Sequence, residues 1–110
     1  MTAEQEHQVA LLLKDRILAG MNQPIRQIIL YGSRAQGQER PDSDFDLLVV
    51  AADPVVKHDE RQRLRTSLTD VPYEVDVWVI GEMEFEETKE IIGGLAFPAY
   101  KYGVVLHEAS

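Results

Sequence analysis

The chain has no cysteine, and its positive charges are few. Without cysteine there is no disulfide framework and no thiolate metal site, so nothing requires an oxidising compartment. The 11 Lys and Arg residues are outnumbered by 19 Asp and Glu, which gives a formal net charge of -8. Such a charge opposes non-specific attachment to nucleic acid or to an anionic membrane. The composition therefore indicates a cytoplasmic protein that favours cations or basic partners over nucleic acid.

Long apolar runs are also missing from the chain. Charged residues interrupt the apolar ones throughout the first 20 residues, which argues against a signal peptide or a membrane span. A length of 110 residues fits one domain, and we expect residues 1–110 to form a single one. A domain of this size buries a modest share of its surface and often gains stability from a partner.

Hydrophobic periodicity predicts an α+β fold in which helices accompany three to four strands. We expect Gly93-Gly94 and Pro98 to break or bend the chain near its end. Helices are predicted between Thr2 and Gly20 and in "VVKHDERQRLRTSLTD" and "EMEFEETKEII", and strands in "IRQIILYG", "FDLLVVA", "YEVDVWVI" and "VVLHE".

Gly32 and Ser33 follow the first predicted strand, where a helical turn is expected to begin. Free backbone N–H groups at such a junction favour an anion, and glycine lets a phosphate approach closely. The pair therefore predicts nucleotide binding, with a turn glycine and a capping serine as the alternative. Arg34 can contact a phosphate as well, although an exposed arginine is the more usual case.

Asp44 and Asp46 lie at the mouth of the second predicted strand, two positions apart. A strand directs such residues to one face, so both carboxylates can reach one point while Phe45 packs the other way. Hard cations such as Mg²⁺ prefer carboxylate oxygens and are commonly held together with substrate phosphates. Turn chemistry around Asp42 is the alternative, but it does not explain why Asp46 precedes a buried apolar run.

Asp76 is a third carboxylate, flanked by apolar residues in "VDVWVI". If this strand pairs beside "FDLLVV", three carboxylates converge on one site. Their mutual repulsion would raise each pKa unless divalent ions neutralise them, which predicts a two-metal centre for phosphoryl-type chemistry. The alternative for Asp76 is the exposed polar face of an edge strand.

The spacing of these residues resembles the GSx10DxD signature of the polymerase-β-type nucleotidyltransferase superfamily: Gly32-Ser33, ten residues, then Asp44-Phe45-Asp46. In length and layout the chain is similar to the smallest members, the minimal nucleotidyltransferases (MNT). The resemblance extends from about residue 24 to 106 and implies a polymerase-β-like palm, an α/β two-layer arrangement in which helices back a small mixed sheet of three to four strands. Many of these small proteins are antitoxins of HEPN/MNT toxin–antitoxin pairs, which transfer AMP from ATP to a tyrosine of a HEPN-domain ribonuclease toxin.

The resemblance also implies a role for each matched residue. Gly32 and Ser33 would hold the β and γ phosphates of ATP. Asp44 and Asp46 would bind two Mg²⁺ ions, and Asp76 would bind the metal nearer the attacking hydroxyl and help to deprotonate it. The implied partner is a HEPN toxin encoded nearby, in a hetero-oligomer.

Two other functions fit parts of the sequence. A non-catalytic antitoxin would neutralise its partner by complex formation alone, which the small size of the chain favours. The intact carboxylates oppose it, because an unused acidic cluster carries an electrostatic cost. An antibiotic-modifying nucleotidyltransferase would need an additional substrate-binding domain or subunit.

Other polar and aromatic residues give weaker indications. Tyr100 and Tyr102 are expected to pack or dock, although either hydroxyl could accept a nucleotide. The acidic stretch 82–90 is predicted to be a solvated helix face or a contact for a basic toxin. Surface or capping positions are expected for three histidines that lack ligand spacing: His7, His58 and His107.

Overall fold

A computed structural model describes residues 2–32 and 44–109 and confirms the α+β class. The predicted turn and loop at 33–43 lie outside the described residues. None of the helices in the described part is both long and apolar enough to cross a membrane. The elements are α1 Ala3–Gly20, β1 Ile25–Tyr31, β2 Phe45–Ala51, α2 Lys57–Ser67, β3 Val75–Gly81, α3 Glu82–Thr88, α4 Ala96–Tyr102 and β4 Val104–Glu108.

The four strands form one mixed sheet in the order β3-β2-β1-β4. β1 pairs antiparallel with both β2 and β4, whereas β2 and β3 are parallel. A parallel pair needs a crossover connection, and α2 lies in the segment that provides it. β2 has strands on both sides, and every residue from Leu47 to Ala51 is buried, as its continuous apolar run predicts.

Alternation along the strands gives the sheet two different faces. We call the first the core face, because its side chains pack with α1 and α2 into a cluster of 15 buried residues in the described part of the chain. We call the second the site face. Its apolar cluster has 7 described residues, contributed by the sheet, by α3 and by the segment of α4, and Tyr31 and Trp78 pack against it.

The ends of α1 follow from its sequence. The Thr2 hydroxyl accepts a hydrogen bond from the Gln5 backbone N–H, and the Gln5 side chain accepts one from the Thr2 N–H. This capping box satisfies N–H groups that the helix leaves free, and it confirms the predicted start. The helix ends at the predicted Gly20 and buries four residues against the sheet: Val9, Ala10, Leu13 and Ile17.

The prediction for the C-terminal segment was wrong at Pro98, which does not break the chain. Pro98 is the third residue of α4, and the first turn of a helix has backbone N–H groups without intrahelical acceptors. Proline therefore removes no helical hydrogen bond at this position. Gly93 and Gly94 do separate α3 from α4, and the predicted last strand is present as β4.

Candidate functional site

Tyr31, Asp46 and Asp76 lie side by side across three neighbouring strands. Asp46 is paired in register with Tyr31 of β1 and with Asp76 of β3. Residues at the same level of a sheet point to the same side, so all three belong to the site face. β2 does pair with β3, which was the condition for the carboxylates to converge, and this pairing brings Asp46 and Asp76 together.

Asp44 and Asp46 differ in exposure although they lie only two positions apart. Asp44 precedes β2 and is exposed, whereas Asp46 is half-buried. Phe45, between them, is fully buried on the core face, where its ring packs edge-to-face on Tyr73 with 5.7 Å between centroids. Turn chemistry can account for an exposed Asp44, but it leaves the partial burial of Asp46 without an explanation.

The electrostatic field of the site is negative. Burial raises the pKa of Asp46, and the carboxylates of Asp76 and Asp44 raise it further. Burial also raises the pKa of Tyr31 to about 12, with the charges of Asp46 and Asp76 adding to the shift and Arg61 opposing it. A cation bound among these carboxylates would relieve the repulsion.

Gly32 ends the first strand and makes room for Asp46. Its φ is +78°, a left-handed conformation that glycine adopts without strain. A Cβ at this position would overlap the Asp46 carboxylate. Gly32 is therefore required for the geometry of the site itself, a role that sequence reasoning did not include. Its predicted contact with phosphate stays a prediction, and Ser33 and Arg34 lie outside the described residues.

Asp76 is fixed by two neighbours that sequence reasoning did not assign to the site. The Trp78 indole Nε1–H donates to its Oδ2 at 3.1 Å, and the Arg61 guanidinium lies 3.5 Å from its Oδ1. Trp78 follows Asp76 by two positions in β3, so strand alternation places both on the same face and could have pointed to it. Arg61 comes from α2, and no local pattern in the sequence connects it with this strand.

The carboxylates fit a hard cation by their chemistry. Among residues 2–32 and 44–109, no three Asp, Glu or His side chains are grouped closely enough to hold a metal ion. Carboxylate oxygens are nevertheless the ligands that Mg²⁺ prefers, and burial together with the charges of Asp76 and Asp44 raises the pKa of Asp46, a shift that a bound cation would oppose. The assignment of such an ion to Asp44, Asp46 and Asp76 stays a prediction.

The remaining predictions concern the surface. Tyr100 and Tyr102 pack edge-to-face on Phe85 and Phe97, which confirms the packing expected for them. The acidic stretch 82–90 is largely solvated and pairs with basic side chains, including Lys57 with Glu84 and Lys89 with Glu86. Two of the three histidines are exposed and the third is half-buried: His7, His58 and His107.

Comparison with known families agrees with this geometry. Residues 16–97 match the sequence model of a family described as polymerase beta, nucleotidyltransferase. The chain belongs to this nucleotidyltransferase family. The matched segment contains all six predicted site residues: Gly32, Ser33, Arg34, Asp44, Asp46 and Asp76. A search of curated proteins gives no significant match.

Three solved structures share the fold of this nucleotidyltransferase. A toxin–antitoxin with AMP-PNP has a TM-score of 0.66 and 21% identity, covering 91% of this chain and 74% of its own. A mutant of the toxin–antitoxin MntA–HpeT has a TM-score of 0.63 and 17% identity, and the match covers 100% of this chain and 75% of that one. A nucleotidyltransferase from Sulfolobus solfataricus has a TM-score of 0.63 and 18% identity, and the match covers 98% of this chain and 89% of that one. At these identities the likeness shows the fold alone.

Proposed function

We propose that this nucleotidyltransferase uses Mg²⁺ to transfer AMP from ATP to a tyrosine hydroxyl of a HEPN-domain toxin, and so acts as its antitoxin. The observation that carries the proposal is the placement of Asp46 beside Asp76 on parallel strands, at the rim of a buried core. Asp46 is half-buried beside other carboxylates, and a charge in this position is costly unless a cation is bound there during function.

The reaction would be a displacement at the α-phosphorus of ATP. The tyrosine oxygen forms a bond to this phosphorus, the bond to the bridging oxygen of the β-phosphate breaks, and pyrophosphate leaves. Mg²⁺ ions, when bound, stabilise the entering and departing oxygens.

The chain's own side chains would bind the ions and the nucleotide and accept the proton. Asp44 and Asp46 would hold the ions and the triphosphate in line, with Gly32, Ser33 and Arg34 contacting the β and γ phosphates. Asp76 is 44% exposed on an edge strand, which suits a carboxylate that takes a proton from an incoming hydroxyl.

The solved relatives support the choice of nucleotide and partner. One is a toxin–antitoxin with AMP-PNP, an ATP analogue. The other toxin–antitoxin carries two Asp-to-Glu substitutions two positions apart, the spacing of Asp44 and Asp46 in this chain. The net charge of -8 also favours a partner with a basic surface.

Intact-mass spectrometry tests the proposal. The protein is mixed with the product of the neighbouring gene, Mg²⁺ and each of the four nucleoside triphosphates in turn. We expect the neighbour to gain the mass of one or more AMP groups with ATP, and to gain nothing with the Asp46→Asn variant. A stable complex without any mass gain would contradict the transferase and favour the non-catalytic antitoxin, as would full protection of cells by the Asp44→Asn, Asp46→Asn double variant.

A further inference from the structure

Arg61 reaches from one side of the sheet to the other around the open edge of β3. Its helix, α2, packs on the core face, whereas Trp78 lies on the site face. Arg61 Nε donates to the Val77 carbonyl oxygen at 2.8 Å, and its guanidinium carbon lies 3.6 Å from the centre of the Trp78 ring. Two contacts that do not involve a carboxylate therefore anchor this arginine.

Trp78, held in place by Arg61, in turn contacts Asp76. The indole N–H donates to Oδ2 of Asp76 at 3.1 Å, so the direction of the carboxylate depends on the position of the ring. The direct contact from Arg61 to Oδ1 is longer, at 3.5 Å, and is the weaker of the two. The main influence of Arg61 on Asp76 is thus exerted through the indole.

We propose that Arg61 is a positioning residue: by stacking on Trp78 it holds the indole N–H against Asp76 and sets the orientation of that carboxylate for metal binding. This inference rests on the proposed function, which makes Asp76 a metal ligand. Partners that orient a ligating carboxylate typically change metal affinity by about 10-fold or more when they are lost. The planar guanidinium matters here, because lysine keeps the charge but cannot stack in the same way.

Binding of Mn²⁺, followed by loss of the free-ion EPR signal, measures the effect on the full chain. We expect Arg61→Lys and Trp78→Phe each to weaken Mn²⁺ binding about 10-fold. The double variant should bind about as well as either single one, because both substitutions break the same chain of contacts. Arg63→Lys is the matched control, since Arg63 is exposed on the same helix, and its affinity should equal that of wild type.

A metal-free measurement checks the contact itself. Trp78 is the only tryptophan, so the protein gives a single indole N–H signal in an NMR spectrum. This signal should shift in Asp76→Asn and in Arg61→Lys but not in Arg63→Lys. If Arg61→Lys fails to fold, Trp78→Phe still tests the proposal, because it keeps a ring for Arg61 to stack on.

The outcomes distinguish this inference from the function on which it rests. If wild type binds Mn²⁺ and both single variants bind it equally well, the positioning role is wrong and the proposed function stands. Fully additive losses in the double variant would also overturn the positioning role. If wild type binds no Mn²⁺ with or without ATP, the proposed function fails, and the positioning role fails with it whatever the indole signal does.

Discussion

The two faces of the sheet differ in what they do, although the same strands build both. Phe45 and Asp46 are neighbours in β2, yet Phe45 is fully buried in the core face while Asp46 is half-buried on the site face with a raised pKa. The core face is apolar along the whole strand, whereas the apolar cluster of the site face stops before Asp46. The two-residue alternation of a strand thus lets β2 contribute to the core on one face and to the candidate site on the other.

Removal of a core-face side chain should produce the largest change in stability. Phe45→Ala deletes a fully buried ring and should lower the free energy of unfolding by about 3 to 5 kcal/mol. Urea unfolding followed by circular dichroism measures this loss. Phe97→Ala, on a partly buried ring of α4, is the control and should cost less. An equal loss in both variants would contradict the assignment of the core to the first face.

A methyl group at Gly32 should damage both stability and the site. Gly32→Ala places a side chain at φ +78° and against the Asp46 carboxylate, so we expect a loss of at least about 1 to 2 kcal/mol together with weaker Mn²⁺ binding. Gly93→Ala is a matched control, because Gly93 has φ +91° and open space around it. Gly93→Ala should lower the free energy of unfolding through the same backbone strain without a change in Mn²⁺ affinity. Equal affinity in both variants would show that Gly32 does not shape the site.

Neutralising Asp46 should stabilise the metal-free protein. Burial and the nearby Asp76 and Asp44 raise the pKa of this carboxyl above its ordinary 3.8, so the charged form costs stability at neutral pH. Asp46→Asn should therefore melt at a higher temperature than wild type at pH 7 in the presence of EDTA. The difference should shrink as the pH falls through the raised pKa toward 3.8, because wild type then becomes neutral as well. A lower melting temperature at pH 7 would contradict this account.

The smallest effect is expected far from the site, at an exposed ion pair. Arg16 binds both carboxylate oxygens of Asp70, at 2.7 and 2.9 Å, and this contact lowers the pKa of Asp70 below 3.8. Asp70→Asn should slightly lower the melting temperature at pH 7. The difference should disappear as the pH falls through the lowered pKa, where wild type loses the pair by protonation. A difference that persists at that acidity would mean that the pair is not its source.

Local patterns were sufficient to predict most of the fold and part of the site. The apolar run after Asp46 predicted a buried strand, as observed, whereas the pairing of that strand beside Asp76 was only a condition and is known from the structure. Sequence reasoning missed Tyr31 and Arg61, because both meet the carboxylates through tertiary contacts. Arg61 lies at a sheet edge and contacts Asp76 and Trp78, which are 15 and 17 residues later in the chain. Hydrophobic periodicity does not predict contacts of this kind. Pro98 was misjudged because its effect depends on where a helix begins.

The central claim is that the carboxylates of the site face bind metal and nucleotide together. Crystals of the protein grown with Mn²⁺ and a non-hydrolysable ATP analogue test it most directly, through an anomalous difference map. The account predicts Mn²⁺ peaks in contact with Asp44, Asp46 and Asp76, and the triphosphate against the backbone at Gly32. Mn²⁺ peaks elsewhere, or a map with neither Mn²⁺ nor the ATP analogue at these residues, would contradict it.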